Sequence, residues 1–182
     1  MSIIVPSDFK GENTIAQVAA NVGGVTNTVQ VFIDKYEPKF LKELLGTTLA
    51  LEFINGLIPV PVDPPTDPIT YEPIDPKWTA LRDETDLKPM LIDYIYYWYI
   101  RNEVTSTAGM GEVKGKTDNA TRTSSTDKLC RAWNEMSQMA RFFDLSTTVY
   151  PDFKRQYWRN VYSWFYGCGI SDIFYPINNS NI

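Results

Sequence analysis

Apolar residues recur at steps of three and four along most of the chain, and glycines and prolines cut that pattern into segments. Thr14-x-x-Gln17 has the capping-box form ahead of Ile15, Val18, Ala19 and Val22, which predicts a short first helix stopped by Gly23-Gly24. Asn27 or Thr28 can cap a second helix through Val29, Phe32, Ile33 and Tyr36, and Pro38 breaks it, kinks it or opens the next. Phe40, Leu41, Leu44 and Leu45 follow at helical spacing up to Gly46, and Thr47 or Thr48 restarts a helix through Leu49, Leu51, Phe53 and Ile54 to Gly56. Seven of the twelve prolines then fall between Pro59 and Pro76, which forbids helix there and favours an extended loop or arm. Lys77 to Glu84 has room for a short helix.

Asp86 is placed to cap a long helix whose first turn tolerates Pro89. Leu91, Ile95 and Trp98 share one face of it, but Tyr94, Tyr96, Tyr97, Tyr99 and Ile100 leave hardly any side polar. Such a helix is buried on several sides, either as the centre of the domain or as core plus subunit interface. A polar stretch from Gly109 to Ser125 follows, with alternating Val113, Lys114 and Lys116 compatible with a hairpin. Ser124, Ser125 or Thr126 then caps a helix bearing Leu129, Trp133, Met136, Ala140 and Phe143, a stripe expected to pack antiparallel on the aromatic helix. Its wet face carries Arg131, Asn134, Glu135, Gln138 and Arg141, with Asp127 four residues before Arg131. Pro151 opens a further aromatic helix, and the tail from Ile170 to Ile182 reads as an extended arm.

The expected fold is therefore mainly α: a helical bundle with a long loop or β-hairpin between two central antiparallel helices, plus extended arms. Residues 1–150 form the helical domain, containing the Pro-rich loop 57–76 and the polar loop 109–125. Residues 151–182 supply the aromatic helix and the C-terminal arm.

Composition narrows the function. Histidine is absent from the 182 residues, which removes the usual general base and the commonest metal ligand. Lys and Arg number 17 against 22 Asp and Glu, a net charge of −5, unlike the basic footprint of a dedicated nucleic-acid binder. Aromatics make up 14% of the chain, with the Tyr and Trp surplus favoured at subunit interfaces. Cys130 and Cys168 have no framework spacing and read as two thiols in a reducing compartment. No signal peptide is evident at Met1 to Pro6, and the apolar run Tyr94 to Ile100, bounded by Asp93 and Arg101, is far shorter than the roughly 20 residues of a membrane span.

Three motifs invite chemistry and lose it on inspection. Gly115-Lys116-Thr117 ends like a phosphate-binding loop, but Met110 stands where the first glycine must be, and a helix rather than a strand precedes it. Asp83, Glu84 and Asp86 cluster before the long helix, where its dipole favours acids, and no companion metal ligand is visible. Lys154, Arg155 and Arg159 beside Tyr157 and Trp158 suit phosphate or base contact, but a solvated face next to a buried aromatic one explains them with less. No cofactor, metal site or catalytic residue is expected, and the chain is read as not an enzyme.

Phe40-Leu41-Lys42-Glu43-Leu44-Leu45-Gly46, followed by Glu52-Phe53 and Gly56-Leu57, resembles the helical head-to-tail connector proteins of tailed bacteriophages. Leu87-Lys88-Pro89, the Tyr94 to Ile100 run, Met110-Gly111-Glu112-Val113-Lys114 and the Asn134 to Phe143 helix continue that resemblance, which is nearest to adaptor or ring proteins of the crAss-like group and spans Val29 to Phe143. The resemblance implies a structural virion protein of the neck, assembled in the host cytoplasm into a homo-oligomeric ring, commonly of twelve copies. Portal protein and other neck or tail rings would be its partners, with DNA passing through the lumen without specific binding and no membrane involved. Within that reading Met110, Val113, Lys114, Lys116 and Arg122 form the portal or tail contact, and Tyr96, Tyr97, Tyr99, Ile173, Phe174 and Tyr175 meet adjacent subunits. The rival expectation is a nucleic-acid-binding packaging component, also a helical ring.

Overall fold

The computed structural model describes residues 2–15, 23–63, 69–108, 111–114, 125–143 and 174–177. The chain is mainly α-helical. Two 3-10 turns, Pro6–Asp8 and Gly11–Asn13, lead to α1 (Gly23–Leu45) and α2 (Thr47–Gly56). After the Pro-rich segment come α3 (Pro76–Arg82), α4 (Leu87–Val104), strands β1 (Thr105–Ala108) and β2 (Gly111–Lys114), and α5 (Ser125–Phe142).

Helix α1 departs from expectation at both of its marked points. It starts at Gly23, four residues ahead of the expected cap, and it runs unbroken through Pro38. A proline there removes one intrahelical hydrogen bond. Phe40, Leu41, Leu44 and Leu45, all buried in the next two turns, hold the helix together beyond it. The expected first helix falls mostly on residues 16–22, outside the described residues. Gly46, with φ +79°, lets the chain reverse between α1 and α2, a conformation L side chains rarely adopt.

Packing centres on α4. Leu87, Met90, Leu91, Tyr94, Ile95, Tyr96 and Tyr99 are buried on different sides of this helix and belong to one core with Phe40 and Leu44 of α1, Phe53 of α2, Leu81 of α3 and Met136 of α5. Full burial of one such aliphatic or aromatic side chain is worth roughly 1.5–3 kcal/mol. The stripe expected on α5 is the buried one: Leu129, Met136, Ala140 and Phe143 are inside, with Trp133 half-buried against the core. Of the expected wet face, Glu135, Gln138 and Arg141 are exposed, whereas Arg131 and Asn134 are half-buried. Asp75 caps α3, its carboxylate accepting from the Lys77 amide at 3.0 Å. β1 and β2 pair antiparallel, Thr105 opposite Lys114 and Ala108 opposite Gly111.

Candidate functional site

The sequence-predicted contact residues fall in three places. Met110, Lys116 and Arg122 lie outside the described residues, and Val113 and Lys114 sit on β2. Tyr96, Tyr97 and Tyr99, expected at a subunit interface, are only 2%, 7% and 5% exposed. Their burial is intramolecular, so the expectation that they meet a neighbour is corrected. Tyr99 packs edge-on to Phe32 of α1 at 5.5 Å, and Tyr97 lies against Trp133 of α5 at 4.8 Å.

The C-terminal residues bring a second correction. Ile173 lies outside the described residues, but Phe174 is fully buried, ringed by Phe40, Tyr94 and Trp133 at 5.6 to 6.3 Å. Three side chains of α5 hold this segment: Trp133 Nε1 donates to the Tyr175 carbonyl, Ser137 Oγ to that of Phe174, and Asn134 pairs both ways with Ile177. Residues 174–177 are thus packed onto the domain to which residues 1–150 were assigned, with Tyr175 and Pro176 left exposed. No period in Asp172 to Ile182 reveals this, since the apolar run Ile173-Phe174-Tyr175 is too short to show one and polar residues follow from Asn178.

Two carboxyl groups inside the fold were also missed. Glu37 continues the buried stripe of Val29 and Ile33 on α1, yet it is 6% exposed. Its oxygens accept from the Ser2 hydroxyl at 2.7 Å and from the Ile3 and Ile4 amides at 3.1 and 3.4 Å. Burial pushes its carboxyl above the ordinary value, and these hydrogen bonds partly offset that. The readable signal was an acid four residues after Ile33, on the apolar face. Asp93 of α4, likewise buried, accepts from Asn13 Nδ2. Desolvation raises its carboxyl to about 7, against the Asn13 hydrogen bond, with Glu135 and Glu12 adding to the rise and Arg131 opposing it. Arg131 itself bridges to Glu12 at 2.9 Å and to Glu135 at 3.9 Å. Both groups fasten the N-terminal turns to the helices.

Two outward features of the described residues are a cationic face and an extended arm. On α1, Val31, Lys35, Lys39 and Lys42 are exposed at intervals of four, four and three. Beneath them Tyr36 stacks on Trp98 of α4, centroids 5.1 Å apart and nearly parallel. Lys35 lies over Tyr36 at 4.9 Å, and Lys39 and Arg101 lie over Trp98 at 5.0 and 5.3 Å. The rings' quadrupoles hold the cations, so the charges are preplaced around the stacked pair. Two carboxylates adjoin them. Asp34 accepts from Gln30 at 2.8 Å, and Glu43 accepts from the Tyr94 hydroxyl at 3.2 Å and lies 3.9 Å from Lys39.

The arm is the Pro-rich segment. Val62 N–H donates to the Thr70 carbonyl at 3.0 Å and Glu72 N–H to that of Val60 at 2.8 Å, which pairs its two limbs as a narrow ribbon. Val60, Ile69 and Tyr71 are more than half exposed on it. Asp63, Asp67, Glu72 and Asp75 give it four acids, and no Lys or Arg lies between Ile58 and Pro76.

Among the described residues, no group of three or more His, Cys, Asp or Glu side chains is disposed to hold a metal ion, and no helix is long and apolar enough to cross a membrane. Family models, curated proteins and solved structures provide no match to the chain.

Proposed function

We propose that this chain is a structural virion protein without enzymatic activity, a subunit of the head–tail connector ring that joins portal to tail and lines part of the DNA channel. The observation that carries the reading is the ribbon arm, which holds Val60, Ile69 and Tyr71 out in solvent on a hydrogen-bonded backbone. A folded monomer has no use for an ordered extension with an apolar edge, whereas a subunit of an assembly does. The docking of residues 2–4 and 174–177 adds support: Glu37 and α5 hold these segments on the core, whereas the arm stands clear of it. Met110, Val113, Lys114, Lys116 and Arg122 on that connection remain the proposed portal or tail contact. Native mass spectrometry of the protein alone and with its portal tests the reading. A ring, or a portal-bound oligomer, is expected; a strict monomer that ignores the portal refutes it.

A nucleic-acid-binding packaging component is the second reading, and the cationic face over Tyr36 and Trp98 favours it. Four cations at that spacing suit a phosphate backbone, although Tyr36 and Trp98 stack on each other rather than standing apart to receive a base. Filter binding of duplex DNA at two salt concentrations separates the readings.

A further inference from the structure

We propose that the acidic ribbon arm of one copy docks on the cationic Lys35–Lys39–Lys42 face of a second copy. The inference rests on the ring reading and names the surfaces through which neighbouring copies join.

Charge complementarity selects this occupant. Of the arm's four carboxylates Asp75 caps α3 and pairs with Lys77 at 2.9 Å, while Asp63 and Glu72 make no ion pair among the described residues, and no Lys or Arg lies between Ile58 and Pro76. The face carries Lys35, Lys39, Lys42 and Arg101 against Asp34 and Glu43, an excess of two positive charges in a chain whose net charge is −5. Apolar chemistry matches as well. Val31, 62% exposed, stands at one end of the lysine row, and Val60, Ile69 and Tyr71 project from the arm. A phenol ring with flanking acids is suited to a surface of aliphatic lysine stems, half-buried aromatics and ammonium heads.

Geometry makes the contact heterologous. The arm leaves the domain between α2 and α3, while the face lies on α1 and α4, so one surface is not its own partner. Each copy thus offers one arm and one face, and repetition of a single contact closes a ring or extends a filament. The lysine row from Lys35 to Lys42 spans seven helical residues, about 10 Å, and three extended residues of the arm cover the same length.

The full-length chain carries the test. A face variant, Lys35→Glu with Lys39→Glu, and an arm variant, Tyr71→Ser with Glu72→Lys, are checked for native helicity by circular dichroism and sized by analytical ultracentrifugation. Each is expected to weaken self-association at least about tenfold at low salt, equivalent to roughly 1.4 kcal/mol. An equimolar mixture of the two is expected to stop at a heterodimer, because it contains only one sound arm and one sound face per pair. Wild-type assembly should weaken between about 0.05 M and about 0.5 M salt as screening shortens. Wild-type oligomers that persist unchanged in both variants would overturn the arm-to-face contact and leave the connector reading standing. A wild-type monomer that binds duplex DNA through Lys35 and Lys39 would overturn both. Should the face variant lose its fold, the arm variant decides alone, since its changes lie outside every helix.

Discussion

The indole N–H of Trp133 donates to the backbone carbonyl of Tyr175 at 2.6 Å, which ties the C-terminal residues to the middle of α5. Beside that bond Phe174 fills a slot between Phe40, Tyr94 and Trp133. The aromatic core of the domain is therefore completed by a residue more than thirty positions beyond its last described helix.

Phe174→Ala should cost about 3–5 kcal/mol, the range for emptying a buried phenylalanine site. Trp133→Phe keeps most of the packing and loses one hydrogen bond, so a loss of about 1 kcal/mol is expected. Urea unfolding followed by tryptophan fluorescence measures the first; far-ultraviolet circular dichroism serves the second. A loss below about 1 kcal/mol for Phe174→Ala would mean that this segment is not docked in solution.

Glu37 supplies the acceptors for the Ile3 and Ile4 amides, both within the fold. Glu37→Ala leaves two buried donors unpaired and should destabilise by roughly 2–4 kcal/mol. Hydrogen exchange at the Ile3 and Ile4 amides should accelerate in this variant before the helices open. Unchanged protection at those two amides would show that the clamp is not formed.

Asp93 makes stability depend on pH. Its ordinary value of 3.8 rises to about 7 in the fold, so the folded chain binds the proton more tightly than the unfolded chain does. Stability from this group is fully present below pH 3.8 and falls as pH climbs through 7, by roughly 4 kcal/mol at most. Asp93→Asn keeps an acceptor for Asn13 Nδ2 and removes the buried charge. Denaturant titrations at about pH 5 and pH 8 should show the wild type weaker at the higher pH and the variant with a shallower loss, since the raised Glu37 carboxyl acts in the same direction in both. An equal slope in both proteins would remove Asp93 as the source.

Gly56 closes α2 directly against Trp78, and a Cβ at that position would overlap the indole. Gly56→Ala should therefore destabilise by about 1–3 kcal/mol despite the higher helix propensity of alanine. Combining it with Trp78→Leu should recover part of the loss, because the indole is the obstacle. No recovery in the double variant would place the strain elsewhere.

Legibility followed periodicity. The buried stripe of α5, the restart at Thr47 after Gly46 and the non-helical residues 59–63 and 69–75 follow from local spacing, a flexible glycine and prolines that lack an N–H. Pro38 misled because its cost is local, while the burial of Phe40, Leu41 and Leu44 that outweighs it is set by α2 and α4. Tyr96, Tyr97 and Tyr99 were assigned to a neighbour because an apolar helix has no side that names its own cover. The Lys35–Lys39–Trp98–Arg101 face escaped notice for a similar reason: its members come from two helices more than fifty residues apart.

The sequence by itself determined the helical class, the burial of the aromatic helix on several sides, the non-helical Pro-rich stretch and the absence of histidine, since these depend on residue type and short-range spacing. Tertiary structure alone decided which rings are covered by this chain, that Glu37 and Asp93 turn inward as polar fasteners, and that Phe174 returns to the core. Each of those depends on a contact between segments distant in sequence. Its free energy arises from water expelled between them, which no local pattern records.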